Sequence, residues 1–449
     1  MNFQTTRGIK FRRIQMIGAH NSNIRKMMWF CGLYGLASSV ALMGLFDAYL
    51  FIRSGSSNSA VGIAESVSGL TQILAVLPAG FFADRMSRSR ILCSCCAFSF
   101  VYVALACSGI YLDNMKIIYA ALVAGGFYAA VQNTTSFALF SDSIPQGDRA
   151  LWMSRVAVIT QVAMGFGPLL SIFMIYYLDD RWDLEILHIV LIGGYLLMIP
   201  ANLFLLGWND IPPEASPVVS SADHPLLESS SKRKRRSSIV PYLIILNDLV
   251  TCIGAGMTVK FFPLFFKNDY GLSPIQLQAL YCIYCMAFAL FTWLCEKVAS
   301  RIGRAQSSLI FSLSGVTCLF SLAYLESLPA VVFVFILRGA LQNSIYPIDR
   351  SIIMDFVPSD QRGRWNSIES ISAMTWSGSA VLGGYLMDSH DYRYTFVITA
   401  WIYLVACCMR VPLLWLVPKK EKFVQAKIVT ANEEIMKSPI ASSPIMFAQ

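Results

Sequence analysis

The sequence predicts an all-α membrane protein with twelve transmembrane helices arranged as two pseudo-symmetric six-helix bundles. Three observations carry this. Of 449 residues, 56% are hydrophobic and only 14% charged, against about 25% charged in an ordinary soluble domain. The apolar residues fall in continuous blocks of roughly 20–25, long enough to cross a hydrocarbon layer about 30 Å thick. One pattern, D-x-x-P-x-x-x-R-x-x-W, also occurs twice. It runs through Asp142, Pro145, Arg149 and Trp152, and again, 213 residues later, through Asp355, Pro358, Arg362 and Trp365. An internal period in an apolar chain points to two like halves.

The blocks, in order, are 29–52, 60–83, 90–111, 117–141, 152–178 and 186–207, then 241–266, 274–297, 306–325, 329–354, 366–388 and 395–417. Lipid offers backbone groups no partner, so each block must be a helix or part of a closed barrel. The blocks are continuous rather than alternating, which excludes a barrel. The first block is full length and lacks a small-residue cleavage site, so it reads as a span and not as a signal peptide. The predicted organisation is a tail over 1–28, a first bundle over 29–208, a linker over 209–240, a second bundle over 241–417 and a tail over 418–449. The linker is rich in Pro, Ser and charge, a composition that does not fold alone. Its basic run Lys232–Arg236 suits contact with anionic lipid.

Charge orients the chain. Arg7, Lys10, Arg12, Arg13, Arg25 and Lys26 precede the first block, and Arg85, Arg88 and Arg90 fill the second loop. Lys232–Arg236, Lys297, Arg301, Arg304, Arg362, Arg364, Lys419, Lys420 and Lys422 continue the same side. The opposite loops are acidic: Asp113, Asp179, Asp180, Asp183, Glu185, Asp269, Glu326, Asp388 and Asp391. The positive-inside rule then predicts that both termini are cytosolic. The net charge of +8 reflects this topology and not nucleic-acid binding.

The second loop reads Gly80-Phe-Phe-Ala-Asp84-Arg85-Met-Ser-Arg88-Ser-Arg90. It resembles the loop motif of the major facilitator superfamily, G-x-x-x-D-R-x-G-R-[KR], with Ser87 in place of the usual Gly. The matching loop of the second half keeps Arg301, Gly303 and Arg304 and lacks the Asp. The resemblance covers roughly residues 29–417. It implies secondary transport of a small organic solute by alternating access, with helices one, four, seven and ten lining a central cavity. It also implies a cytosolic gate built on Gly80, Asp84, Arg85, Arg88, Arg90, Arg301, Gly303 and Arg304 together with the repeated Asp142, Arg149, Asp355 and Arg362. Arg88 is expected to pair with Asp142, and Arg304 with Asp355. Gly165-Phe-Gly167-Pro168 partly resembles the glycine–proline motif of drug:proton antiporters, although close helix packing explains it more simply.

A charge within a span costs about 2.5–3.5 kcal/mol on insertion scales, so it faces a cavity or a partner. Asp47 and Lys260 stand at nearly equivalent positions in the first helix of each half; the cavity that the resemblance implies would have them face each other, as an ion pair or a proton and substrate site. Glu65 is a second proton candidate and Arg338 an anion candidate. Gln132 and Asn133, with Gln342 and Asn343, offer neutral hydrogen bonds to a solute, and Trp376 and Tyr346 offer rings. Arg155, Asp248, Asp349, Arg350, Glu369 and Arg410 are expected to lie near the interfaces, where they pair structurally or snorkel.

Other classes find little support. There is no G-x-x-x-x-G-K-[ST] phosphate loop. The four histidines are scattered, and Cys282 and Cys285 form a single C-x-x-C inside an apolar block, where buried small hydrophobes are the better reading. Neither an enzyme nor a cofactor is expected. The expected partners are a small organic solute, a proton and the bilayer, with no nucleic acid, and the protein is expected to be a monomer. The alternatives are a non-transporting sensor or receptor on the same fold and an uncoupled facilitative carrier.

Overall fold

The computed structural model describes residues 3–144, 149–210, 239–357 and 375–418. Pro145, Pro358, Arg362, Arg364, Trp365, Glu369, the basic run Lys232–Arg236 and the C-terminal tail lie outside the described residues. So do the side chains of Asp84 and Arg149, although their backbones are helical.

The first span consists of α1 (Phe3–Leu42) and α2 (Leu45–Arg53), separated at Gly44, whose φ is +80°. A Cβ there would be strained and would lie 3.1 Å from the Tyr281 ring. The helix begins at Phe3, well ahead of the apolar block. Then follow α3 (Asn58–Arg85), α4 (Arg88–Tyr111), α5 (Met115–Asp142), α6 (Arg149–Leu178) and α7 (Leu184–Leu203). The seventh span opens the second half and is interrupted like the first. It runs as α8 (Val240–Thr258), a 3-10 turn at Val259–Phe261, and α9 (Phe262–Tyr270) with Pro263 in its first turn. The chain continues through α10 (Pro274–Ile302), α11 (Arg304–Tyr324), α12 (Leu328–Asn343), α13 (Tyr346–Phe356), α14 (Ala380–Ser389), α15 (Tyr392–Arg410) and α16 (Leu413–Leu416).

Eleven helices among the described residues are long and apolar enough to cross a membrane. The block at 366–388 supplies the twelfth, seen as helical residues 375–378 and α14. Polar caps start several of them. Asn114 accepts a hydrogen bond from the Lys116 amide at 3.0 Å, and Asp391 accepts one from the Tyr394 amide at 2.6 Å. Ser273 and Gln276 form a reciprocal capping box at the head of α10.

Two seams join the halves: α3 packs on α14, and α6 packs on α10. Lipid supplies no hydrophobic drive between helices, so close backbone approach does the work. A Cβ on Gly62 would fall 2.4 Å from the Ala380 carbonyl, and one on Gly69 2.2 Å from the Ser377 Cβ. Gly384 serves the same purpose against Asn58, and Gly167 allows the same closeness to Ser39 within the first half.

Contacts at the helix ends fix the topology. Asn23 joins the start of the first span to the end of the fourth through Ser143 and to the end of the sixth through the Asn209 backbone. Arg410 joins the end of the last span to the start of the seventh through Asn247 and Asp248. The Asn58–Asp388 contact aligns the opposite ends of α3 and α14. Both termini therefore share one face, called here the terminal face; the other is the far face.

Candidate functional site

The two helix interruptions deliver the charges. Asp47 sits on α2 just past Gly44, and Lys260 sits in the 3-10 turn of the seventh span. The Lys260 Nζ lies 3.1 Å from Glu65 Oε2 on α3 and 3.9 Å from Asp47 Oδ1. Glu65 Oε1 also accepts a hydrogen bond from Ser377 Oγ at 2.9 Å. The Trp376 ring centroid is 5.3 Å from the ammonium, within cation–π range. Asp47 is buried and Glu65 half-buried. One cation of the second half thus bridges two carboxylates of the first. At about 4 Å such a pair is worth roughly 4 kcal/mol at an effective dielectric of 20, which offsets part of the insertion cost of its members.

Arg338 lies elsewhere, on α12, and is buried at 3% exposure. Its Nη2 donates to the Tyr403 hydroxyl at 3.3 Å, and its guanidinium stands 5.0 Å from the Phe262 ring centroid. No carboxylate pairs with it among the described residues, and its Nε has no partner.

The dipeptides Gln132–Asn133 and Gln342–Asn343 occupy matching places. In each, the Gln is buried and the Asn exposed. Gln132 donates to Ser136 at 2.8 Å, whereas the Gln342 Oε1 is unpartnered. Asn343 donates to the Tyr284 hydroxyl at 2.9 Å.

At the terminal face Arg88 pairs with Asp142, and Arg304 with Asp355 at 2.5 Å. Each pair lies within its own half. Arg85 stacks on Phe81 at 3.9 Å, and Arg90 and Arg301 are exposed. Gly80 has open space around it, whereas Gly303 adopts φ +113°, ψ 151°, which only glycine tolerates well. Ser87 adopts φ −58°, so no glycine is required there; it caps α4 and donates to Asp210. Asp210 also accepts from the Ser89 amide at 2.9 Å. Burial alone would raise the Asp210 pKa, but the hydrogen bonds from Ser87 and Ser89 outweigh it and hold the carboxyl below its ordinary value.

The hydrogen bonds and ion pairs joining the described residues of the two halves cluster toward the far face. Asp388 accepts from the Asn58 and Ser59 amides, both at 2.8 Å. Trp182 donates to the Leu272 carbonyl, Asp180 accepts from the Ile275 amide, and Gln278 donates to the Met43 carbonyl. The buried Asp349 and Arg410 form a separate cluster with the half-buried Asp248 near the terminal face, and Arg155 lies over Trp152. Sequence reasoning missed Ser377, Tyr281 and Asp388. A serine or tyrosine in an apolar block gives no periodic signal, and their roles come only from tertiary proximity.

The family profile of the Major Facilitator Superfamily matches residues 27–368 and, again, 244–447. A putative metabolite transport protein, YdjK of Escherichia coli (strain K12), is 23% identical over 214 residues. That match spans 43% of this chain and 42% of the relative. Among solved structures, a D-xylose–proton symporter superposes with TM-score 0.66 at 16% identity, covering 89% of this chain and 98% of that one. A bacterial homologue of the iron transporter ferroportin, in an inward-facing state, gives 0.65 at 12% identity over 89% and 99%. The nucleoside transporter NupG gives 0.59 at 15% identity over 87% and 99%. The architecture and the paired loop motifs define a twelve-helix membrane transporter fold. The chain belongs to the major facilitator superfamily, whose members are transporters and not enzymes.

Proposed function

We propose that the protein is a secondary active transporter that carries a small organic solute by alternating access and couples it to protons through Asp47 and Glu65. The reading rests chiefly on one observation: Lys260 of the second half bridges two carboxylates of the first. A proton arriving on either carboxylate removes one of the attractions holding the far ends together. Contacts made in one state and lost in the other bias a two-state equilibrium by their differential energy.

The terminal face carries the basic loops, so the positive-inside rule makes it cytosolic, with both termini inside. The halves, taken as 29–208 and 241–417, rock as units about the two seams. Among the described residues, polar contacts between them gather toward the far side, while Arg88–Asp142 and Arg304–Asp355 stay within their halves. This pattern fits a state open to the cytosol, as in the inward-facing ferroportin homologue. Asn133 and Asn343, exposed one on each half, serve as neutral contacts for the solute. The protein acts as a monomer, with the basic linker run on anionic lipid.

The test is counterflow in proteoliposomes. Saturable exchange of a labelled solute, accelerated by an inward proton gradient, is expected. Acceleration that persists in both Asp47→Asn and Glu65→Gln removes the proton assignment. Absence of any saturable exchange leaves a sensor on the same fold.

A further inference from the structure

Beyond a generic solute, and resting on the transport reading, the geometry points to a specific cargo. We infer that the protein carries a monovalent organic carboxylate with an apolar or aromatic body, bound at Arg338 together with one proton, so that net transport is electroneutral.

The argument is a charge count across one connected cluster. Asp47 and Glu65 supply two negative charges, Lys260 and Arg338 two positive ones. Lys260 is fully engaged with both acids. Arg338 has no carboxylate neighbour among the described residues, and its Nε donor is vacant at 3% exposure. The Gln342 Oε1 one turn along the same helix is also unpartnered. The two sets are nonetheless joined. Phe262, which lies under the guanidinium, is two residues from Lys260, and Tyr281 stands within electrostatic reach of both Asp47 and Arg338.

With both acids ionised the cluster is neutral overall. Adding a proton to one of them leaves a net positive charge in a low-dielectric site, which a monoanion cancels. Asp47 carries the proton. It is the deeper carboxylate and the more distant from Lys260, whereas Glu65 has the shorter ion pair and Ser377. The remaining titratable groups facing the cluster are phenols and a thiol: Tyr195 on α7, Tyr281 and Tyr284 on α10, Cys318 on α11 and Tyr403 on α15. Such groups ordinarily titrate above about pH 8, so the carboxylates alone change charge in the acidic range.

The surroundings set the rest of the cargo. Arg338 presents unused donor capacity to a carboxylate, which it suits geometrically. Phe262, Tyr403 and Tyr284 wall it with rings that accept an apolar body. Tyr284 in turn bonds the exposed Asn343, which marks the approach from the cleft.

The experiment is thermal unfolding of the purified full chain with benzoate, phenylacetate, nicotinate and lactate, each beside its amide. Carboxylate stabilisation that exceeds the amide's is expected, with apparent affinity falling about tenfold per pH unit above the carboxyl's titration. Arg338→Gln should abolish that stabilisation, and Arg338→Lys should retain part of it. Asp47→Asn should keep it but flatten its pH dependence. Where Arg338→Gln does not fold, the Arg338→Lys and Asp47→Asn pair still decides. The inference is overturned if no carboxylate stabilises the wild type beyond its amide, if Arg338→Gln keeps the full shift, or if Asp47→Asn leaves the pH slope intact. Counterflow of a sugar or a cation alone by the wild type would sink this inference and leave the transport reading standing.

Discussion

The two halves follow one template and fill it with different chemistry. Both interrupt their first span at the same depth. The first half places an acid, Asp47, beyond its break; the second places a base, Lys260. Four residues before each Gln–Asn dipeptide the first half has Tyr128 and the second Arg338. Tyr128 donates to Asn202 and stacks on Tyr102, a neutral aromatic core, whereas Arg338 meets Tyr403 with a charge. The terminal ends differ in the same sense. Asn23, Ser143 and Asn209 tie the first half with neutral hydrogen bonds, and Arg410, Asp349 and Asn247 tie the second with a buried ion pair. Duplication thus supplied the scaffold, and divergence placed opposite charges where the halves meet.

The sharpest way to break this comparison is to remove the bridge. Lys260→Ala leaves the buried Asp47 and the half-buried Glu65 without their shared cation. Stripping one partner from a buried pair costs about 3–5 kcal/mol, so a large fall in melting temperature and loss of uptake are expected. Asp47→Asn in the same background should recover part of the stability. No recovery in the double variant would mean the two sites are not coupled.

The terminal clamps should rank as their chemistry does. Arg410→Gln strands Asp349, which is 2% exposed, and should cost about 3–5 kcal/mol. Asn23→Ala removes neutral hydrogen bonds and should cost about 1–3 kcal/mol. Thermal unfolding of the two variants side by side checks the order; equal losses would show that the ionic clamp adds nothing.

The loop motifs offer a smaller contrast. Gly303→Ser forces a side chain into φ +113°, ψ 151°, at about 1–3 kcal/mol. Ser87→Gly loses a cap and should cost only a few tenths of a kcal/mol, glycine being a tolerable N-cap. Unfolding midpoints read the difference, and a larger loss from Ser87→Gly would reverse the assignment.

Much of this was legible in the sequence. Hydropathy and the repeated pattern sufficed for the helical spans, because lipid leaves the backbone so few options. The equivalent positions of Asp47 and Lys260, taken with the cavity that the family resemblance implies, led us to expect them opposite one another. The interruptions themselves went unread although both leave a local mark: Gly44 supplies the positive φ of the first, and Pro263, which has no N–H to donate to the Val259 carbonyl, ends the helix at the second. Ser87 looked like a departure from the family loop, yet its hydroxyl caps α4 and holds Asp210. The pairing of Glu65 with Ser377 depends on how α3 meets the segment before α14, which no local pattern encodes.

The smallest effect concerns Asp210, for which the second half shows no counterpart among the described residues. Its hydrogen bonds from Ser87 and Ser89, opposed by partial burial, hold its pKa below the usual 3.8 when folded. A carboxylate with a depressed folded pKa contributes stability that is present above the unfolded value and is lost as pH falls through the folded one. That contribution should therefore begin to fall below about pH 4, and Asp210→Asn should remove it at neutral pH as well. Because Asp210 is exposed, solvent screening keeps the change slight. Melting curves of the wild type and Asp210→Asn from pH 7 to pH 3 should converge at the acidic end. Curves that stay parallel across the range would show that Asp210 anchors nothing, and that the loop of the first half is held by Arg88–Asp142 alone, as that of the second is held by Arg304–Asp355.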